Sequence, residues 1–229
     1  PNWSYSHCLE YFKKSETFSD GPNEWRGGSG PQSIERCPAT HPLYQAFLRS
    51  GEQAGYEITK DQNGARHEGF HVAQSFTRKG SRCSAADAYL HPIRDRDNLT
   101  ILTHTLTRRI LFDDLRALGI EAQTRGRSRC YEATREVILS AGAIGSPQLL
   151  MLSGVGDPAH LRAHDIPIVS DVPAVGKNLE DHPVVPIQYS TPDGLSISHR
   201  FRGFRPLGIG LKWMLFKSGL GTSLMSEAG

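Results

Sequence analysis

The stretch that most restricts the fold of this chain runs from residue 135 to residue 156, REVILSAGAIGSPQLLMLSGVG. An apolar segment (VIL) precedes a turn of small residues (SAGAIG), and the apolar run QLLMLSG follows the turn. This order predicts a β-strand, a tight turn and a helix. Ser146 suits the N-cap, Pro147 suits the first helical position, and Gly154 or Gly156 can end the helix. Small residues in such a turn allow the backbone to approach a ligand closely.

The remaining sequence changes character near residue 98. Before that point helices are predicted at residues 3–16, 41–55 and 81–90, and residues 19–40 have the composition of a long loop. After it, strands are predicted in NLTILT, THTLTRRILF, LGIEAQ and VVPIQYS, and a short helix in DPAHLRAHDI. Strands at this spacing are typical of an antiparallel meander. The sequence therefore predicts a mixed α/β fold, with a Rossmann-like strand and helix beside antiparallel strands.

Composition limits the class of protein. The 229 residues are 38% hydrophobic and 22% charged, which is ordinary for a globular protein. A net charge of +2 argues against a nucleic-acid partner. The longest strictly apolar run has four residues, whereas a membrane span needs about 20. The four cysteines are widely spaced, without a Cys-x-x-Cys pair, so a reduced cytoplasmic protein is the expected setting.

Two other patterns in the sequence have plainer interpretations than the motifs they match. HEGFH, at residues 67–71, matches the H-E-x-x-H zinc motif, but its glycine and the alternating residues after it favour a junction between a loop and a strand. Residues 200–217 contain five basic and no acidic side chains, interleaved with aromatic residues. We expect a partly buried helix with a basic edge there, and contact with a membrane surface is the alternative. The sequence contains no G-x-G-x-x-G phosphate loop.

The run from Gly142 to Gly156, GAIGSPQLLMLSGVG, resembles the second signature of the glucose–methanol–choline (GMC) oxidoreductases. NWSYSHCLEYFKKSE, GSRCSAADAYLHP, NLTILT, VPAVGKNLEDH and SLMSEAG resemble further segments of this family, in the family's order. The resemblance covers essentially the whole chain and is strongest to the choline dehydrogenase-like branch. It implies an FAD enzyme that oxidises a primary alcohol to an aldehyde by transferring hydride to flavin N5.

The resemblance also implies where FAD is contacted. The residue whose backbone faces the adenine in the family corresponds to Thr107, and the small residues at the strand end that faces the cofactor are Ala141 and Gly142. We therefore expect Thr107, Ala141 and Gly142 to bind FAD. The GKNLEDH turn at residues 176–182 is treated as structural, because Asn and Asp often close turns by hydrogen bonding to backbone.

On the family template, residues 1–80 form a lid or substrate-side segment, 81–181 the centre of the FAD domain, and 182–229 the start of a substrate domain built on an antiparallel sheet. The resemblance places the Gly-rich FAD loop before Pro1 and the catalytic histidine after Gly229. We thus expect no catalytic residue and no metal site, and we expect this segment to be inactive without the N- and C-terminal parts of its protein. The alternative is a non-catalytic remnant or binding module with the same fold.

The alcohol itself is left open by the sequence. A choline-like substrate would require a carboxylate and aromatic rings around its quaternary ammonium group. Glu227, Trp213 and Phe216 are available for that role, but the sequence does not place them in one pocket.

Overall fold

The computed structural model describes residues 2–190, 195–223 and 227–229. Within these residues the helices are α1 (Tyr5–Ser15), α2 (Pro42–Gln53), α3 (Gly142–Leu152), α4 (Pro158–Ala163) and α5 (Arg205–Phe216). The strands are β1 (Glu16–Phe18), β2 (Gln32–Arg36), β3 (Gln74–Ser75), β4 (Thr77–Arg78), β5 (Ser81–Arg82), β6 (Thr105–Asp113), β7 (Arg116–Thr124), β8 (Arg127–Glu132), β9 (Val155–Gly156) and β10 (Ser170–Asp171). The fold is therefore mixed α/β, as predicted.

The chain forms two compact units. One unit comprises Pro1–Leu99 with Gln188–Gly229, and the other comprises Thr100–Ile187. We call them the discontinuous unit and the central unit. The central unit begins later than the predicted FAD segment 81–181, and the assignment of either unit to FAD or to substrate stays a prediction.

The discontinuous unit is built around a small sheet in the order β1-β2-β3, with β1 parallel and β3 antiparallel to β2. Helices α1 and α2 confirm the sequence predictions. Pro42 lies in the first turn of α2, His41 Nδ1 accepts a hydrogen bond from the Leu43 amide, and Gly55 follows the helix with a φ of +88°. The segment predicted as a short helix forms a π-helical turn, Ala86–Leu90, after Ser84. This unit holds α5 against the β4–β5 hairpin through a hydrogen bond from Trp213 Nε1 to the Gly80 carbonyl.

The central unit is an antiparallel meander, β6-β7-β8, with α3 packed against β6. Strands β6 and β7 confirm the strands predicted in THTLTRRILF and LGIEAQ. A register shift lies between Thr107 and Arg109, so that strand β6 bends at this point. Ser153, just after α3, accepts a hydrogen bond from the Ile110 amide and donates one to the Leu149 carbonyl. One hydroxyl therefore links the helix to the strand.

Three predicted strands were wrong. NLTILT, the VIL segment and VVPIQYS are without strand pairing among the residues that the structure describes. Their apolar side chains are accordingly exposed, with Ile138 at 78% and Val185 at 84%. An apolar sequence can form a strand only when a neighbouring strand accepts its backbone hydrogen bonds, and the described part of the chain provides no such neighbour.

The predicted start of α3 was also wrong. The helix begins at Gly142, four residues before Ser146, and Pro147 lies inside it. Ser146 Oγ accepts a hydrogen bond from the Ala141 amide, so the side chain contacts the N-cap residue from the fifth position of the helix. Pro147 has no amide hydrogen, so it cannot donate to the Ala143 carbonyl, and α3 lacks one intrahelical hydrogen bond at this point.

Helix α5 is more exposed than predicted. None of its residues is buried, and Leu207 and Phe216 are 69% and 71% exposed. No helix within the described residues combines the length and the apolar character needed to cross a bilayer.

Candidate functional site

A cavity of about 540 Å³ lies in the central unit between β6, the extended segment before α3, and α3 itself. Thr107 of β6 and Ala141 at the N-cap of α3 both line it. The wall is mainly apolar, formed by Leu106, Ile120, Val137, Ile138, Leu139, Leu149 and Leu152. Segments that are distant in sequence thus form one pocket, with the first turn of α3 at its edge.

The start of α3 leaves open space beside the cavity. Gly142 has a φ of +83°, a conformation that favours glycine, and a Cβ atom built there would meet nothing within 4 Å. Within the described residues, packing therefore does not require glycine at position 142, whereas the positive φ favours it. The first amides of a helix carry partial positive charge and face outward, which suits an electron-rich ligand.

Charge and polarity in this cavity are sparse. Arg108 is the only charged residue among its described lining residues, and its guanidinium donates a hydrogen bond to Gln123. Gln148 and Ser140 add polar groups. The cavity thus offers an apolar surface with a few hydrogen-bonding groups, which is typical of a small-molecule or cofactor site.

The structure brings together two of the three residues that we expect to contact FAD. Thr107 and Ala141 line the same cavity, and Gly142 follows Ala141 directly. Their role as cofactor ligands stays a prediction. Sequence reasoning missed the apolar wall from Leu149 and Leu152, although both belong to the apolar run that predicted the helix.

A second candidate site surrounds Glu227 in the discontinuous unit. Glu227 is 3% exposed; its Oε2 accepts a hydrogen bond from the Ala39 amide at 2.9 Å, and Ser223 donates to Oε1. The carboxylate lines a cavity of about 480 Å³ that also contains His41 and Arg200. This buried acid is one of the groups that the sequence offered for a choline-like cation.

The two aromatic residues that were available to bind such a cation, Trp213 and Phe216, do not line the cavity of Glu227. The Trp213 ring is covered by the Lys217 ammonium group, whose nitrogen lies 3.7 Å from the ring centroid. Phe216 is largely exposed, and neither ring lines the cavity of Glu227. The sequence left open whether these rings share a pocket with Glu227. Among the described residues they do not line its cavity, and an ammonium group of the chain already covers the indole.

The HEGFH segment has no helical geometry. Gly69 has a φ of +126°, and His71 Nδ1 lies 3.1 Å from the Gly69 carbonyl. Two histidines in one turn of helix are what the zinc motif requires. No group of three or more candidate metal ligands occurs in the described part of the chain.

Comparisons with known proteins agree with this architecture. Residues 1–184 match the family described as GMC oxidoreductase, so the chain belongs to the GMC oxidoreductase family. It is 44% identical to the mitochondrial choline dehydrogenase of Mus musculus, over 99% of this chain and 38% of the relative. It is 47% identical to an oxygen-dependent choline dehydrogenase of Burkholderia multivorans, over 100% of this chain and 41% of the relative. The chain thus spans about two fifths of these relatives.

Solved structures show the same fold. A formate oxidase variant from Aspergillus oryzae, studied for its FAD modification, superposes with a TM-score of 0.88 at 26% identity, covering 100% of this chain and 41% of that chain. An FAD-dependent oxidoreductase from Chaetomium thermophilum superposes with a TM-score of 0.81 at 26% identity, covering 97% of this chain and 41% of that chain. Pyridoxine 4-oxidase from Mesorbium loti superposes with a TM-score of 0.71 at 32% identity, covering 75% of this chain and 34% of that chain.

Proposed function

We propose that this chain is part of an FAD-dependent oxidoreductase that oxidises a primary alcohol to an aldehyde. The observation that carries the proposal is the cavity that Thr107 and Ala141 both line, beside the open N-terminus of α3. Family membership and the flavoprotein neighbours support FAD as the ligand.

The residues of this cavity fit the adenosine end of FAD. Its apolar wall excludes water and provides a surface for a flat ring, and the backbone of Thr107 and the first amides of α3 offer hydrogen-bonding groups. Bound FAD would supply the hydride acceptor for alcohol oxidation. The chain's own contribution is to bind and orient one end of the cofactor.

Filling the cavity tests this role. Ala141→Trp places a large side chain where the adenosine would lie, and we expect flavin content to fall at least about tenfold, a loss of about 1.4 kcal/mol in binding free energy. Leu115→Trp is the matched control, because Leu115 lies in the β6–β7 turn, is 74% exposed and does not line the cavity. Flavin is measured by absorbance of the intact purified protein. Equal flavin content in both variants would contradict the assignment.

The mass and the absorption spectrum of the intact gene product distinguish an enzyme from a non-catalytic module. We expect a mass well above 25.3 kDa and flavin absorption in the visible region, because the curated relatives are more than twice as long as this chain. A product of about this mass without flavin would favour a non-catalytic module of the same fold.

For the substrate we propose a choline-like alcohol, with Glu227 as counter-ion of its quaternary ammonium group. The support is the burial of this carboxylate in a cavity, together with the similarity to two choline dehydrogenases. A buried carboxylate attracts a cation strongly because water screens it poorly.

The test compares choline with 3,3-dimethyl-1-butanol, which has the same shape and no charge. We expect Glu227→Gln to raise the KM for choline about tenfold or more and to leave the KM for the neutral alcohol nearly unchanged. Glu10→Gln on α1, an exposed site, is the control. An equal rise for both alcohols would mean that Glu227 supports the fold rather than recognising the cation.

A further inference from the structure

A second cavity in the central unit, of about 690 Å³, is lined by three arginines, Arg125, Arg127 and Arg129. His104 and the ring of Tyr131 also line it, and Ile101 contributes apolar surface. Its volume lies within the range of about 300–1,000 Å³ usual for small-molecule sites. No carboxylate is among the described residues that line it.

The register of the meander explains why these arginines converge. Arg127 pairs with Thr124 and Arg129 with Ala122 across β7 and β8, and cross-strand partners point to the same face of a sheet. Residues two apart on a strand also share a face and lie about 7 Å apart. The two guanidinium groups therefore extend from one face of the sheet, and Arg125 adds a third from the adjoining turn.

The charge of this group is uncompensated within the part of the chain that the structure describes. None of the three arginines forms an ion pair or a side-chain hydrogen bond there. The carboxylate nearest in sequence on β7, Glu121, is paired with Arg109 at 2.7 Å. Glu121 alternates with Ala122 and so points to the opposite face of the sheet. The cavity thus concentrates positive charge that no neighbouring acid neutralises.

We propose that this cavity binds a phosphate group, either free or carried by a nucleotide. The guanidinium fork matches phosphate oxygens with two parallel hydrogen bonds, and adjacent arginines can share one phosphate. The Thr103 hydroxyl lines the same cavity and can donate a further hydrogen bond. The Thr105 hydroxyl already donates to the Thr103 carbonyl and is hydrogen bonded to the Thr124 hydroxyl, so these two groups shape the cavity wall. The Tyr131 ring and Ile101 offer a surface on which a base can lie. The site does not depend on the proposed oxidoreductase activity.

The test titrates the full chain with inorganic phosphate, AMP and adenosine by isothermal calorimetry. We expect Arg127→Gln/Arg129→Gln to weaken phosphate and AMP binding at least tenfold, and Arg116→Gln to leave it unchanged. Arg116 is the matched control, since it is an exposed arginine on β7 that does not line the cavity. Tighter binding of AMP than of phosphate would identify a nucleotide site, and equal binding would identify a site for phosphate alone.

Two results would overturn the proposal. One is equal weakening in the double variant and in Arg116→Gln, which would reflect net charge alone. The other is binding of adenosine as tight as that of AMP, which would remove the role of the phosphate. Exposed substitutions of this kind change stability little, and circular dichroism checks the fold of each variant. Arg129→Lys gives an independent measurement, because it keeps the charge and loses the fork, so we expect weaker binding with the fold intact.

Flavin content distinguishes this site from the FAD cavity. Thr105 lines one cavity and Thr107 the other, so the two are neighbours on β6. A separate phosphate site predicts that the double arginine variant keeps its flavin while losing phosphate binding. Parallel loss of flavin and phosphate would assign the arginines to the cofactor and overturn the separate site.

Discussion

At the scale of single residues, Arg26 illustrates a role that spacing does not reveal. Its side chain is 2% exposed, lies 2.8 Å from both Glu16 and Asp61, and stacks on the Phe18 ring at 3.8 Å from the centroid. Gln74 accepts another hydrogen bond from the guanidinium. Three segments of the discontinuous unit are therefore joined through one buried cation.

We predict that Arg26→Met lowers the free energy of unfolding by about 3–5 kcal/mol, because two largely buried carboxylates lose their partner. Urea denaturation of the full chain measures the change. Arg66→Met is the control. Arg66 forms a solvent-exposed ion pair with Glu57, with side chains 64% and 62% exposed, and such pairs contribute about 0–1 kcal/mol to stability. Similar losses in both variants would refute the role of Arg26.

A second ion pair at this scale predicts a dependence on pH. Hydrogen bonding to Arg36 holds the pKa of Asp20 below its usual value, against the smaller opposing effect of burial. The pair therefore contributes stability above the unfolded-state pKa, about 3.9, and loses it as pH falls through the lowered folded-state pKa.

We expect Asp20→Asn to be less stable than the parent chain at pH 7, with the difference shrinking below about pH 4. Urea denaturation at pH 7, 4 and 3 measures it. Asp95→Asn is the control, because Asp95 is 90% exposed. A difference between Asp20→Asn and the parent that stays constant with pH would exclude the ionised pair as its cause.

At the scale of secondary-structure elements, Ser153 determines how α3 meets β6. Its hydroxyl accepts from the Ile110 amide at 2.8 Å and donates to the Leu149 carbonyl at 2.6 Å, in a position only 7% exposed. Both elements contribute to the wall of the proposed FAD cavity, so this link stabilises part of that wall.

We predict that Ser153→Ala destabilises the chain by about 1–3 kcal/mol, because the buried Ile110 amide loses its acceptor. Thermal unfolding measures the loss, and flavin content is expected to fall with it. Ser128→Ala on β8, an exposed serine, is the matched control. If Ser153→Ala unfolds at the same temperature as the parent chain, another group must accept the hydrogen bond from the Ile110 amide.

At the scale of the whole molecule, apolar surface remains uncovered. Ile138, Val184, Val185 and Tyr189 are each at least 78% exposed, and the chain matches only about two fifths of the length of its curated relatives. Exposed apolar patches of this kind promote association. We predict that the isolated 229-residue chain self-associates and binds a hydrophobic dye, as measured by light scattering and dye fluorescence. A monodisperse monomer without dye binding would contradict this.

The sequence by itself determined the family, the helices α1 and α2, and strands β6 and β7, because these depend on local patterning and on a long signature. The family resemblance also pointed to Thr107 and Ala141 as contacts of FAD. The structure places both in one cavity, and their role in binding FAD stays a prediction.

Only the tertiary structure decided that NLTILT and VIL have no strand partner among the described residues, that α3 begins at Gly142, and that Lys217 covers Trp213. Each of these depends on which groups from elsewhere in the chain reach a given position. Periodicity records the preference of a segment for a strand or a helix, whereas pairing and burial require a partner whose position only the folded chain defines.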